Sequence, residues 1–165
     1  LFRLTARFKP SVIVELGTSL GISTMYLALG NRNAQVITLE GSPAIAAVAK
    51  DNFARARLSN IRQVMGNFDE TLTAVLNGSG KVDLVFFDGN HRLEPTLRYF
   101  DQCMKHRDDQ SLFIFDDIHW SEEMEQAWEK IKENPQVTCT VDLFFIGLVF
   151  FRKEFKEKQH FVIRF

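Results

Sequence analysis

Basic blocks, cysteine motifs and long apolar runs are all missing from this chain, and each absence removes a class of function. Lysine and arginine total 20 against 21 acids, a formal charge of -1, and no Lys/Arg-rich block concentrates the positive charge. A phosphate backbone needs such a footprint, so nucleic acid is not an expected partner. Only Cys103 and Cys139 occur, without CxxC or Cys/His zinc spacing, so they read as reduced apolar fillers of a reducing compartment. No run of about 18 apolar residues offers a membrane span and no signal-peptide pattern opens the chain, so the expectation is a cytoplasmic protein that does not use a membrane. The GxSxG elbow of a hydrolase is also absent.

What remains is one domain's worth of ordinary globular composition. The 165 residues are 45% hydrophobic and 25% charged, and 16 Phe must be mostly buried or lie at an interface. A chain of this size buries roughly two thirds of its unfolded surface around a single core. It begins at Leu1 without Met, and "LFRLTARF" spaces Leu1, Leu4 and Phe8 like one helix face. The expectation is a single domain over 1–165 whose earlier residues, substrate contacts among them, precede Leu1.

After Pro10 short β-rich runs alternate with helical periodicity. The runs are "VIVEL" (12–16), "VITLE" (36–40), "IRQVM" (61–65), "VDLVFF" (82–87) and "SLFIF" (111–115). Apolar stripes follow them: Ile22/Met25/Tyr26/Leu29, Ile45/Val48/Ala49/Phe53, Leu93/Leu97/Phe100/Met104 and Met124/Ala127/Trp128/Ile131. Near-continuous apolar strands need cover on both faces, so the pattern predicts an α/β, doubly wound, mostly parallel seven-stranded sheet. After Pro135, "VTCTVDLF" and "GLVFFR" are too close for an intervening helix and predict an antiparallel hairpin. "HFVIRF" is a candidate final edge strand. The tail phenylalanines Phe144, Phe145, Phe150, Phe151, Phe161 and Phe165 either fill the core or expose an apolar edge to a second copy as a homodimer.

Chemistry collects where strands end. In "VELGTSLGIS" a strand stops near Glu15 and turns through Gly17 and Gly21 into a helix, which suits the negative end of a ligand or merely the turn itself. The spacing is not GxGxxG, which disfavours an NAD-dependent oxidoreductase. Glu40 ends the second strand, at the distance where an acid accepts from ribose hydroxyls, or where it serves as a helix N-terminal charge before "GSPAIAAVA". Two strands end on aspartate followed by histidine: Asp88 with His91, and Asp116 and Asp117 with His119 and Trp120. Asp117 or Ser121 is also placed to cap the next helix.

The ordered set "VELGTSLGIS", "ITLEGSP", "VMGNFDE" and "VDLVFFDGNH" resembles the class I S-adenosylmethionine-dependent methyltransferases, nearest to the catechol O-methyltransferase-like small-molecule enzymes, over about residues 11 to 152. The resemblance implies a Rossmann-like methyltransferase fold and methyl transfer to an oxygen of a small-molecule acceptor, with a non-catalytic S-adenosyl-L-methionine-binding module as the alternative. It places Glu15, Gly17, Gly21 and Ser23 at the methionine end of S-adenosyl-L-methionine and Glu40 on the ribose. Gly66, Asn67, Phe68 and Asp69 fall at the adenine, and Asp88 near the sulfonium. Metal-dependent members imply Mg2+ or another divalent cation on Asp88, Asp116 and Asp117, Asp117 standing where they carry Asn. His91 falls where those enzymes carry a catalytic lysine, and a neutral imidazole there can accept the acceptor's proton. His91 and His119 each read otherwise as a loop histidine bonded to backbone, and Trp120 is a candidate wall of the acceptor pocket or plain packing.

Overall fold

A computed structural model describes residues 1–164. Helix α1 (Phe2–Phe8) precedes β1 (Val12–Leu16), α2 (Ile22–Gly30), β2 (Gln35–Glu40), α3 (Pro43–Arg55) and β3 (Ile61–Met65). Then come α4 (Phe68–Ser79), β4 (Leu84–Phe87), α5 (Leu93–Met104), β5 (Leu112–Asp116), α6 (Glu122–Glu133), β6 (Cys139–Asp142), β7 (Ile146–Phe150) and β8 (Gln159–Val162). All strands form one sheet in the order β3-β2-β1-β4-β5-β7-β6-β8. The sheet has eight strands rather than the expected seven, because "QHFV" pairs parallel with β6. Pairing is parallel from β3 through β5, and β7 runs antiparallel to both β5 and β6, as the predicted hairpin requires.

Register decides which side chains share a face. Ile13 pairs Val36 and Leu84, Glu15 pairs Thr38 and Phe86, and Phe86 pairs Ile114. Because side chains alternate along a strand, Glu15, Thr38, Glu40, Asp88 and Asp116 follow these residues onto one face. That face carries Ile13, Val36, Leu84 and Ile114 beneath Leu27 and Ala28 of α2. The opposite face buries Val14, Leu39, Val85, Phe87, Phe113 and Phe115 under α4, α5 and α6, with Tyr99, Phe100 and Trp128 completely enclosed. Phe87 stacks on Phe115 at 4.2 Å, and Phe113 meets Phe100 and Phe151 edge-on. Each such ring contributes about 2 kcal/mol by leaving water. Among the described residues Phe53, Phe86, Phe87, Phe100, Phe113, Phe115 and Phe151 are buried, while Phe2, Phe8, Phe144, Phe145, Phe155 and Phe161 stay exposed, so the Phe content divides between core and surface.

Three helix stripes sit differently from expectation. α6 buries Met124, Ala127, Trp128 and Ile131 as predicted. α3 buries Ala46, Ala49 and Phe53 and leaves Ile45 and Val48 exposed, since Phe53 fills the space over side-chain-less Gly21. α2 buries Thr24, Leu27 and Ala28, while Ile22 and Tyr26 face a cleft. α5 turns Thr96, Tyr99, Phe100 and Cys103 inward, with Leu93 and Leu97 only partly covered. In the tail Phe151 is buried, Phe144, Phe145 and Phe161 are exposed, and Phe165 lies outside the described residues. Cys103 and Cys139 are free and buried, as fillers should be. Among the described residues no helix is long and apolar enough to cross a membrane.

Candidate active site

The carboxyl ends of β1, β4 and β5 meet in a cavity of about 360 Å3 lined by Thr18, Ser19, Ile22, Ser23, Tyr26, Asp88, Asp116 and Ile146. A larger groove of about 660 Å3 runs between α3 and β3, but its lining is mainly Ala, Pro, Phe, Leu, Ile and Met with Lys50 as the charged residue, and no strand-end acid lines it. The smaller cavity is where the chemistry converges.

Its floor is a buried hydroxyl and carboxylate network. Glu15 is fully enclosed, and its Oε2 accepts from Thr24 and, at 2.6 Å, from Thr38, whose hydroxyl lies 2.6 Å from that of Thr18. Its Oε1 has no partner. An unpaired buried carboxylate oxygen is costly, and burial accordingly pushes Glu15 up to about 7 even though three hydroxyls oppose it. The three threonines were not singled out from sequence, although a Thr inside the apolar run "VITLE" was a signal for a buried polar partner.

The rim is backbone. Gly17 sits at φ +109°, and a Cβ there would lie 2.0 Å from the Asp88 carbonyl oxygen. Only glycine lets the first loop pass so close to β4. Gly21 (φ +81°) is the N-cap of α2, with Ser23 in the first turn beside Glu15. Glu40 ties two loops together, accepting from the Ser19 N–H through Oε2 at 3.0 Å and from the Ser42 N–H through Oε1 at 2.9 Å. Both oxygens retain lone pairs for further donors. Asn67 caps α4 by accepting from the Asp69 N–H, Phe68 leans on Gly89 and Tyr99, and Asp69 pairs with Arg98 at 2.7 Å.

On the β4 and β5 side the acids crowd. Burial, reinforced by Asp116 and Glu15, raises the Asp88 pKa; burial, reinforced by Asp117, raises that of Asp116. His91 Nε2 lies 3.9 Å from Asp88 Oδ1 and 4.0 Å from Asp117 Oδ2. Asp117 has a left-handed backbone (φ 55°). Among the described residues no group of three or more His, Cys, Asp or Glu side chains is drawn together to hold a metal.

His119 is taken away from the cavity's proton chemistry. Its Nε2 is 2.8 Å from Asp142 Oδ2 and its Nδ1 3.3 Å from Glu125 Oε1. Burial works against its charge, but the two carboxylates outweigh it and its pKa lies above the ordinary imidazole value. With both nitrogens engaged, His119 is a cross-link between the β5–α6 loop and the β6–β7 turn. Ser121, rather than Asp117, caps α6 by accepting from the Met124 N–H.

A family model described as a methyltransferase domain matches residues 14–118. The chain is 33% identical over 109 residues to the catechol O-methyltransferase of Niastella koreensis, covering 64% of this chain and 48% of that protein. It spans about half the length of the curated relatives it matches. Among solved structures it resembles the O-methyltransferase from Bacillus cereus in complex with SAH (TM-score 0.76, 24% identity, 90% of this chain and 78% of that one). It also resembles TomG from Streptomyces achromogenes in complex with SAM (TM-score 0.78, 19% identity, 92% and 77%). At these identities the structures share the fold.

Proposed function

Because the chain belongs to the methyltransferase-domain family, whose model covers most of it, we propose that it binds S-adenosyl-L-methionine at this cavity and transfers the methyl group to an oxygen of a small-molecule acceptor. The observation that carries the reading is the orphaned Glu15 Oε1 beneath a loop that Gly17 holds against Asp88. A buried acceptor without a donor, beneath the Thr18 and Ser23 lining of the cavity and next to further carboxylates, suits a ligand that brings N–H donors and positive charge. The α-amino group and the sulfonium of S-adenosyl-L-methionine supply both.

The bound cofactor supplies an activated methyl on a positively charged sulfur. The rest is done by the chain. The α2 N-terminus, with Gly21 and Ser23, receives the carboxylate end. Glu40, already held by Ser19 and Ser42, accepts from the ribose hydroxyls without having to be ordered first. Asn67, Phe68 and Asp69 border the adenine side. Asp88 and Asp116 lie on the sulfonium side, where a cation favours their ionised forms. His91, set between Asp88 and Asp117, takes the proton of the acceptor hydroxyl. Alignment of acceptor oxygen and methyl carbon contributes several kcal/mol of the rate, on the order of what proximity supplies elsewhere. No step of this reading is routed through a metal.

Calorimetric titration tests it. Saturable uptake of S-adenosyl-L-methionine and S-adenosylhomocysteine, with none for NAD, is the expected result. Heat from NAD alone, or from none of the three on folded protein, overturns the assignment.

A further inference from the structure

Beside the cofactor cavity, beyond the Asp116–Asp117 and Phe145–Ile146 segments, lies a second hollow of about 220 Å3 lined by Asp117, His119, Trp120, Phe144 and Phe145. Its three aromatic rings are 74%, 56% and 66% exposed, although rings of this size are ordinarily covered. The protein holds them there at a cost. Phe144 has φ 73°, and the Phe145 N–H donates to the Leu143 carbonyl, which makes a positive-φ γ-turn, a strained conformation for a bulky residue. Asp142 secures it, accepting from the Phe144 N–H through Oδ1 and bonding His119 through Oδ2. Phe144 and Phe145 stand perpendicular, 88° apart with centroids at 5.0 Å, and form a corner.

The charges around the hollow sum to negative, although His119 lines it and stacks on Phe144 with centroids at 5.7 Å. Neither the β5–α6 loop, 117–121, nor the β6–β7 turn, 143–145, contains Lys or Arg. His119 brings positive charge, but Asp142 and Glu125 both bind it and more than balance it. Among the described residues Asp117 has no lysine or arginine within ion-pair reach; its neighbour is His91 at 4.0 Å. Ring faces carry negative potential, so an aromatic corner beside a carboxylate attracts a cation and repels an anion. A plain apolar hole would have no use for the carboxylate.

We propose that this hollow is the binding site for an alkylammonium group on the methyl acceptor, flanked by Trp120, Phe144 and Phe145 and neutralised by Asp117. The site's neighbourhood to Asp116 sets the acceptor's length: the cationic group is held while the hydroxyl reaches past Asp117 to His91. The assignment to the acceptor rests on the methyltransferase reading above.

The chain has two tryptophans, and one of them, Trp128, is buried, so the indole N–H signals in a 15N–1H spectrum give a reporter and an internal control. The probes are choline and its uncharged carbon isostere, 3,3-dimethylbutan-1-ol, each titrated with and without S-adenosylhomocysteine. Choline is expected to shift the Trp120 signal saturably, leave Trp128 in place and bind roughly tenfold more tightly than the isostere. Phe144→Gly, which removes a ring while relieving the positive φ, is expected to abolish the shift, and Asp117→Asn to weaken it several-fold. Equal binding of the two probes, no binding of choline, or choline binding that survives Phe144→Gly overturns the proposal. If S-adenosylhomocysteine moves the Gly17–Gly21 amides while choline leaves Trp120 still, the subsite alone fails. If those amides do not move, the cofactor reading fails, and with it the claim that a cation bound here is part of an acceptor.

Discussion

The two halves of the sheet's carboxyl edge are made of different materials. Beyond β1, β2 and β3 the loops are glycine, hydroxyl and backbone: Gly17, Thr18, Ser19 and Gly21, then Gly41 and Ser42, then Gly66 and Asn67, tied together by Glu40. Beyond β4, β5 and β6 they are charges and rings, with Asn90, Asp117 and Phe144 in left-handed backbone without being glycine, where the first half has Ser19 alone. Backbone N–H groups and a single acidic tie suit a ligand whose shape never changes. Side chains on strained turns suit recognition that has to be particular to one acceptor. The contrast teaches that the first half is fixed by steric economy, the second by side-chain chemistry.

Substitutions can break each half separately. Gly17→Ala has the largest expected effect, because its Cβ would meet the Asp88 carbonyl at 2.0 Å on a backbone with φ +109°. A loss of about 4 kcal/mol in unfolding free energy follows from the clash and the strain, with cofactor binding removed as well. Urea unfolding measures the first and calorimetry the second. A variant as stable as the parent would mean that the two loops are not in contact.

Glu15→Gln comes next and acts through pH. The folded pKa of about 7 lies above the ordinary glutamate value of 4.5, so the folded chain holds a proton that the unfolded chain has already lost. The stability this confers is complete below about pH 4.5 and is lost as pH rises to about 7, a fall on the order of 3 kcal/mol. The glutamine variant should flatten that part of the slope in a series of unfolding curves, leaving whatever belongs to Asp88 and Asp116. An unchanged slope would place the titration elsewhere.

Glu40→Ala sharpens the comparison within the first half. Losing a charged acceptor costs about 2 kcal/mol of S-adenosylhomocysteine affinity, roughly thirtyfold, and undoes the tie to Ser19. Equal affinity of variant and parent by calorimetry would remove the ribose role. The smallest effect is expected at Ser121→Ala, where loss of the α6 cap costs about 1 kcal/mol of stability and leaves cofactor affinity alone. A matching drop in affinity would join a helix cap to a site it does not touch.

Legibility in the sequence divides along the same line. The strands are apolar runs of β-branched and aromatic residues, and the five parallel ones, β1 to β5, lie where periodicity predicts them within a residue or two. Local spacing likewise carries Glu15, Gly17, Gly21 and Glu40, because a strand, a turn and a helix start are read within ten residues. The helix α4 was not read, although Asn67 caps it and Leu72, Val75 and Leu76 mark its inner face. Ile22 and Tyr26 looked like core because periodicity cannot tell a face that meets the sheet from one that meets a cleft. The least legible features are tertiary. Asp142 and His119 are 23 residues apart and meet only because β7 inserts between β5 and β6. The aromatic corner depends on the same insertion and on a backbone angle that phenylalanine does not announce.

A crystal soaked with S-adenosylhomocysteine measures the central claim most directly. The account predicts density running from the Gly17–Gly21 loop, over Glu15, to ribose hydroxyls on Glu40. Density for the compound in the α3–β3 groove, or an empty strand-end cavity at saturating concentration, would contradict it.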